Sequence, residues 1–396
     1  MNLQNNRWYA RLFADRHFRR MQASDSPSNR SVGHIPALNG IRGFAILVVM
    51  LFHTGIQTFV GGFIGVDVFF VLSGFLITSL LVKEFDRLGH INLKNFYLRR
   101  ILRLAPAFIL LLLAVNIASL LLLNRTQIKY TLIDSLIALF YLSNWSWAFD
   151  IHRPNLLAHA WSLSIEEQFY LLWPLILMTL LRHIRSRWRI VAVIFFCALA
   201  AWLLRIFLLT QGATFERVYT GLDTRADALL LGCGLGVLLS SNLLSDRWRN
   251  RLAQILPVLT PCCLLSLLYL CFTIEWHNLQ LYYWLFFVIE LLVAIIILDV
   301  FVAERSLVQR ILGAKFLTWV GNISYGLYLW HYVVYKAIRI LHGNEWQVLI
   351  IGSCLTFFIA ILSYRYLERP FLQIKNRFRT STDGPFIFSR VNTLHK

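Results

Sequence analysis

LAPAFILLLLAVNIASLLLL (residues 104–123) decides the fold. The stretch carries no charge and its apolar residues do not alternate with polar ones. A strand of a membrane barrel would alternate over about 10 residues. As a helix at 1.5 Å per residue the stretch reaches about 30 Å, the thickness of a bilayer's hydrocarbon core. The rest of the 396-residue chain agrees: 58% of residues are hydrophobic, 15% are charged and the mean hydropathy is +0.62. A soluble domain carries roughly 25% charged residues, so a soluble enzyme is excluded, and the abundance of apolar surface excludes disorder. The expected class is all-α and polytopic.

Further apolar runs lie at 37–58, 62–82, 132–149, 161–181, 190–210, 226–241, 254–274, 280–300, 316–338 and 347–367. The formal net charge of +18 sits mainly between the runs. Segments 1–36, 83–103, 182–189, 242–253, 301–315 and 368–396 hold 28 of the 38 Lys and Arg residues. That pattern orients membrane helices with basic loops inside and argues against a nucleic-acid partner. If 83–103 and 182–189 share a side, the three runs between them cannot all cross. The weakest is 132–149, interrupted by Asp134, Ser135, Ser143, Asn144 and Ser146, and it is expected to be re-entrant or interfacial, covering a cavity. About ten spans result, with both termini cytoplasmic: a basic segment 1–34, a membrane domain 35–372 and a basic tail 373–396. Residues 1–35 contain no apolar signal core, so the first span directs insertion. The six Cys lie in apolar runs without a CxxC pair and read as small core residues, not metal ligands.

An ionisable side chain at the centre of a spanning helix costs about 2.5–3.5 kcal/mol, so each one needs a reason. Arg42 and His53 are 11 residues apart, which places them on one helix face about 16 Å apart along the axis. Asp67, near the start of the second span, comes to the depth of His53. Two readings stay open: a base with its orienting carboxylate, or a structural pair that fixes two helices. His331 reaches a similar depth on 316–338, in a helix that also carries Tyr325 and Tyr328; the upper tyrosines equally suit interfacial anchoring. Trp161, Glu166 and Glu167 open the run 161–181. Adjacent carboxylates point about 100° apart on a helix, so these two are not a dyad. Asp223, Arg225 and Asp227 read either as part of the site or as a self-satisfied ion network. Arg99, Arg100 and Arg103 precede the third span. They serve as positive-inside anchors, or Arg100 and Arg103, at i and i+3, grip a phosphate bidentately. A transporter relaying protons through His and Asp is the rival class.

Seven stretches in order resemble the membrane-bound acyltransferase-3 family: IPALNGIRGFAILVVMLFH (35–53), GFIGVDVFFVLSGFLIT (62–78), FYLRRILRLAP (96–106), WSLSIEEQFYLLWP (161–174), TRADALLLGCGLG (224–236), GNISYGLYLWHY (321–332) and YLERP (366–370). The family often has Asp where Asn39 stands. The resemblance implies transfer of an acyl group, usually acetyl, from acyl-CoA as co-substrate to a hydroxyl of a surface polysaccharide or lipid-linked glycan, in the bacterial inner membrane. It resembles the stand-alone members. Carried over, the Arg-x10-His element falls on Arg42 and His53, and the RxxR element on Arg100 and Arg103. In this scheme His53 is the base, Asp67 orients it, Arg42 lines the coenzyme path, and Tyr325, Tyr328 or His331 donates to the oxyanion. Ser73 is either an acyl carrier or a packing residue beside Gly74.

Overall fold

The computed structural model describes residues 35–303 and 306–377, with side chains to 374. The amino-terminal segment 1–34 and residues 378–396 of the basic tail lie outside the described residues. Everything described is helical or connecting, with no strand. The helices that matter here are α1 (Pro36–His53), α2 (Gly65–Leu88), α3 (Leu93–Leu122), α4 (Arg125–Leu139), α5 (Ser143–Ala148), α6 (Ala160–His183), α7 (Arg187–Thr210), α8 (Leu222–Ser240), α9 (Asp246–Thr273), α10 (Leu281–Val302), α11 (Lys315–Asn322), α12 (Ser324–Ile340) and α13 (Glu345–Ile374).

Seven helices among the described residues are long and apolar enough to cross a membrane: α1, α2 with its lead-in from Gly62, α3, α7, α9, α10 and α13. Two further predicted runs form single helices, α6 with Glu166 and Glu167 and α8 with Asp223, Arg225 and Asp227. The predicted run 316–338 is broken at Ile323 into α11 and α12. The sequence at the break, Gly321-Asn322, is a poor helix former, and Gly321 is pressed so close to the Asn39 carbonyl that an added Cβ would stand 1.8 Å from its oxygen. The run 132–149 is no continuous span: α4 and α5 are separated at Tyr141, whose φ is +54°.

α2 and α8 form the most extensive helix pair. A Cβ on Gly74 would meet the Leu229 carbonyl oxygen at 2.0 Å, and one on Gly232 would meet the Val71 oxygen at 2.0 Å. The backbones touch because three small residues, Gly74, Gly232 and Gly236, leave room on the shared face. This matters for the site because α2 carries Asp67 and Ser73 while α8 carries Arg225 and Asp227.

Two helices contain π turns that free carbonyls from the regular ladder. In α10 the turn Leu281–Leu285 offers the Tyr282 oxygen to Arg205 Nε at 3.0 Å and the Tyr283 oxygen to Trp202 Nε1 at 2.6 Å. In α13 the turn Tyr364–Glu368 precedes Pro370, which has no amide hydrogen for a regular helix. The turn leaves Glu368 buried, with its Oε1 3.2 Å from the position a Gly326 Cβ would take.

Candidate active site

α1 supports both ends of the candidate site. Its last residue is His53: Gly55 follows with φ +80°, and Arg339 Nη2 donates to the His53 carbonyl at 2.8 Å. A left-handed glycine and a cation are the usual way to satisfy helix C-terminal carbonyls. The helix therefore stops five residues short of the predicted run, and the imidazole stands at its very end.

Three imidazoles gather there. His331 Nε2 lies 3.3 Å from His53 Nδ1, with ring centroids 5.0 Å apart. His159, from the turn before α6, lies 5.7 Å from His331 centroid to centroid and stacks on Tyr332 at 5.1 Å. His53 Nδ1 also bonds the Val49 carbonyl at 2.9 Å. Its Nε2 has no hydrogen-bond partner among the described residues. Tyr328 is bonded to Ser162 Oγ and donates to the His159 carbonyl at 3.1 Å. Its hydroxyl is thus committed to α6 and the turn before it.

Toward the other end of α1, Arg42 shares an electrostatic neighbourhood with Arg100, Arg103, Glu166 and Tyr170. Arg100 Nη2 donates to Glu167 Oε1 at 3.0 Å, and its guanidinium lies 3.4 Å over the Tyr170 ring. Ser73 Oγ donates to Glu166 Oε1 at 2.8 Å. The two adjacent carboxylates therefore diverge, one to a cation and one to a hydroxyl. Glu368 accepts from Ser363 Oγ at 3.3 Å and lies within electrostatic reach of Arg103 and Arg42. Tyr325 donates to the Leu104 carbonyl at 2.8 Å, above the Pro106 turn of α3. Arg100 and Glu167 keep 18% and 22% of their side-chain surface exposed, so this end is not sealed. Arg99 is drawn aside to Glu84 at 3.6 Å.

Helix α12 connects the two ends. Tyr325, Tyr328 and His331 recur every three residues on one of its faces and touch α3, α6 and α1 in turn.

Three expectations change. Asp67 does not orient His53: it is ion-paired with Arg225, and both side chains are completely buried. A guanidinium that is already buried outcompetes a neutral imidazole for a carboxylate. Arg225 accordingly belongs to a sealed cluster with Arg205, Asp227 and Glu290; Arg205 Nη2 and Asp227 Oδ2 lie 2.8 Å apart at zero exposure. Trp161 packs between Tyr219 (4.6 Å) and Phe70 (6.1 Å), and Tyr219 in turn lies against Arg225 of that cluster. His331 cannot donate to an oxyanion from Nδ1, which is spent on the Leu327 and Tyr328 carbonyls at 3.1 and 2.7 Å.

Sequence reasoning missed His159, Tyr170, Tyr332 and Glu368. His159 stands two residues before Trp161, just outside the quoted motif, and Tyr170 is inside it. Glu368 sits in YLERP, where only a Pro-induced π turn turns it inward. In the α4–α5 unit Asp134 binds His152 Nε2 at 2.8 Å and the Asn155 amide at 2.9 Å; burial nevertheless pushes its carboxyl above the usual carboxylate range. Among the described residues no group of His, Cys, Asp and Glu is arranged to hold a metal, and the cysteines are free.

An all-helical membrane protein with a partly open guanidinium–carboxylate cluster and an imidazole cluster on one helix is a candidate membrane transferase. Its class is then shown by comparison: the acyltransferase domain profile of the acyltransferase-3 family matches residues 35–365, and the chain belongs to that family. It is 36% identical over 353 residues to a protein of Staphylococcus aureus (strain COL) provisionally named an O-acetyltransferase, covering 86% of this chain and 58% of that protein. It is 35% identical over 378 residues (92% and 57%) to a protein of Bacillus subtilis (strain 168) provisionally named a peptidoglycan O-acetyltransferase. To the peptidoglycan O-acetyltransferase OatA of Listeria monocytogenes it is 33% identical over 349 residues (85% and 56%). The chain thus spans somewhat over half the length of the curated relatives it matches. No solved structure matches it.

Proposed function

We propose that this chain is an O-acyltransferase of the bacterial inner membrane. It moves an acetyl group from cytoplasmic acyl-CoA to a hydroxyl of a cell-envelope carbohydrate on the far side. Lipopolysaccharide O-antigen, exopolysaccharide and lipid-linked sugars fit the acceptor class, and the named relatives favour peptidoglycan-type sugars. The observation that carries the reading is the placement of Arg42 and His53 on one helix, with Arg100 and Arg103 near the first and His331 against the second.

In this reading the chain crosses ten times with both termini inside. α6, α8 and the broken pair α11–α12 cross despite their charges, because those charges face protein. The α4–α5 unit lies over the outer end. Arg100 and Arg103 hold the phosphates of the coenzyme, and its pantetheine arm follows the α12 stripe toward His53. His53 Nε2 takes the proton of the acceptor hydroxyl. The alkoxide oxygen bonds to the thioester carbonyl carbon, the carbon–sulfur bond breaks, and the departing thiolate recovers the proton from His53. Ser73 donates to Glu166 Oε1 at 2.8 Å, and transfer in this reading is direct, without an acyl-serine.

The test uses isolated membranes and acetyl-CoA labelled in the acetyl group. Label should pass into a polymer or lipid-linked sugar only when the gene is present. Unchanged acetyl-CoA, with transport of a solute instead, would move the chain to the transporter class.

A further inference from the structure

We infer that His331 is a positioning residue: its Nε2 lone pair, held against Nδ1–H of His53, joins the Val49 carbonyl in holding the tautomer that leaves His53 Nε2 free for the acceptor hydroxyl. This rests on the reading of His53 as base and adds a side chain that orients it.

The argument follows from which atoms can donate. A carbonyl oxygen only accepts, so a ring nitrogen beside one carries the hydrogen. Nδ1 of His331 sits 2.7 Å from the Tyr328 oxygen and 3.1 Å from the Leu327 oxygen. It is therefore N–H, and Nε2 of the neutral ring is an acceptor. Nδ1 of His53, 2.9 Å from the Val49 oxygen, is likewise N–H. Its hydrogen is shared with His331 Nε2, 3.3 Å away. The two rings thus form a short directed chain that starts at the α12 backbone and ends with a lone pair on His53 Nε2.

Histidine bases commonly rely on a carboxylate or carbonyl for this. Here Asp67 is committed to Arg225, and the Val49 carbonyl at 2.9 Å and His331 Nε2 at 3.3 Å share the Nδ1 hydrogen between them. His331 cannot turn away: it is fully buried, with the rings of Tyr328, His159 and Tyr335 at 5.4, 5.7 and 5.9 Å. When His53 takes up the hydroxyl proton, the same Nε2 lone pair accepts from the resulting imidazolium. His159 contributes to the wall and not to the chain, because its Nε2 donates to the Leu329 oxygen at 3.1 Å.

The experiment uses the purified full chain in lipid nanodiscs. His331→Phe keeps a ring and removes the acceptor; His331→Gln returns an amide oxygen near the Nε2 position. Phe should lower kcat by about 10- to 100-fold, the range for groups that orient a reacting side chain, with KM for acetyl-CoA unchanged. Gln should recover most of that loss. In parallel, 15N-histidine NMR, assigned by the signal lost in His53→Gln, should show His53 as the Nδ1–H form in the native chain and a measurably larger share of the Nε2–H form in His331→Phe, where the Val49 carbonyl alone remains. If the Phe variant does not accumulate, His331→Leu takes its place. An unchanged His53 tautomer in the variant, or equal kcat loss in Phe and Gln, overturns the positioning role. A tautomer that shifts as expected while His53→Gln still transfers acetyl would instead sink the base reading alone.

Discussion

Two regions bury ionisable side chains within the helices, and they do it differently. The first, Asp67, Arg205, Arg225, Asp227 and Glu290, has zero exposure throughout. Its cations are paired with its aspartates, and Arg225 also lies 3.8 Å over the Phe286 ring. The second, Arg42, Arg100, Arg103, Glu166 and Glu167, is only partly buried, and its members bond to a hydroxyl, a ring and each other. Desolvation explains the contrast. Charges that never meet a ligand can be closed in once they are matched, whereas charges that must exchange partners need access. Sealed pairs hold helices together, and open ones are where a polyanion can enter.

That contrast can be broken by substitution. The largest effect falls at neither cluster: His53→Ala should lower acetyl transfer by roughly 10²- to 10⁴-fold while the protein still accumulates in membranes, measured by labelled-acetyl transfer per unit of immunodetected chain. Normal transfer would discard the base. Next, Arg225→Met alone strands Asp67 and should cost about 3–5 kcal/mol, seen as loss of folded protein in detergent melting. Pairing it with Asp67→Leu should restore most of that stability. A sealed cluster whose single variants melt normally but lose acetyl-CoA binding would reverse the assignment of the two regions.

Arg100→Ala comes third. Loss of one charge-assisted contact is worth about 1.5–3 kcal/mol, so KM for acetyl-CoA should rise roughly 10- to 150-fold with melting little changed. Glu290→Gln should do least. Neither carboxyl oxygen of Glu290 has a hydrogen-bond partner among the described residues, so the amide should keep both melting and transfer within about twofold of the native chain. A large loss of transfer would make Glu290 part of the chemistry.

The sequence showed which helices carry charge, because apolar runs and basic loops are one-dimensional signals. It also showed that Arg42 and His53 share a helix, because their spacing nearly closes whole turns. It could not show whom a buried charge meets. Asp67 and His53 match in depth alone, and depth says nothing about rotation around the helix axis; Arg225, 158 residues away in sequence, is the residue that meets Asp67. The π turn before Pro370 was hidden for a similar reason. Proline marks a break in the ladder, but whether the chain kinks or widens depends on its neighbours. The break at Ile323 required knowing that Asn39 presses on Gly321.

The contact of α2 and α8 at Gly74 and Gly232 has one further consequence. With no side chain between the two backbones there is nothing to compress, so neither helix can slide along the other by even a fraction of a turn without collision. A crosslink between α2 and α8 across this contact should therefore leave turnover unchanged.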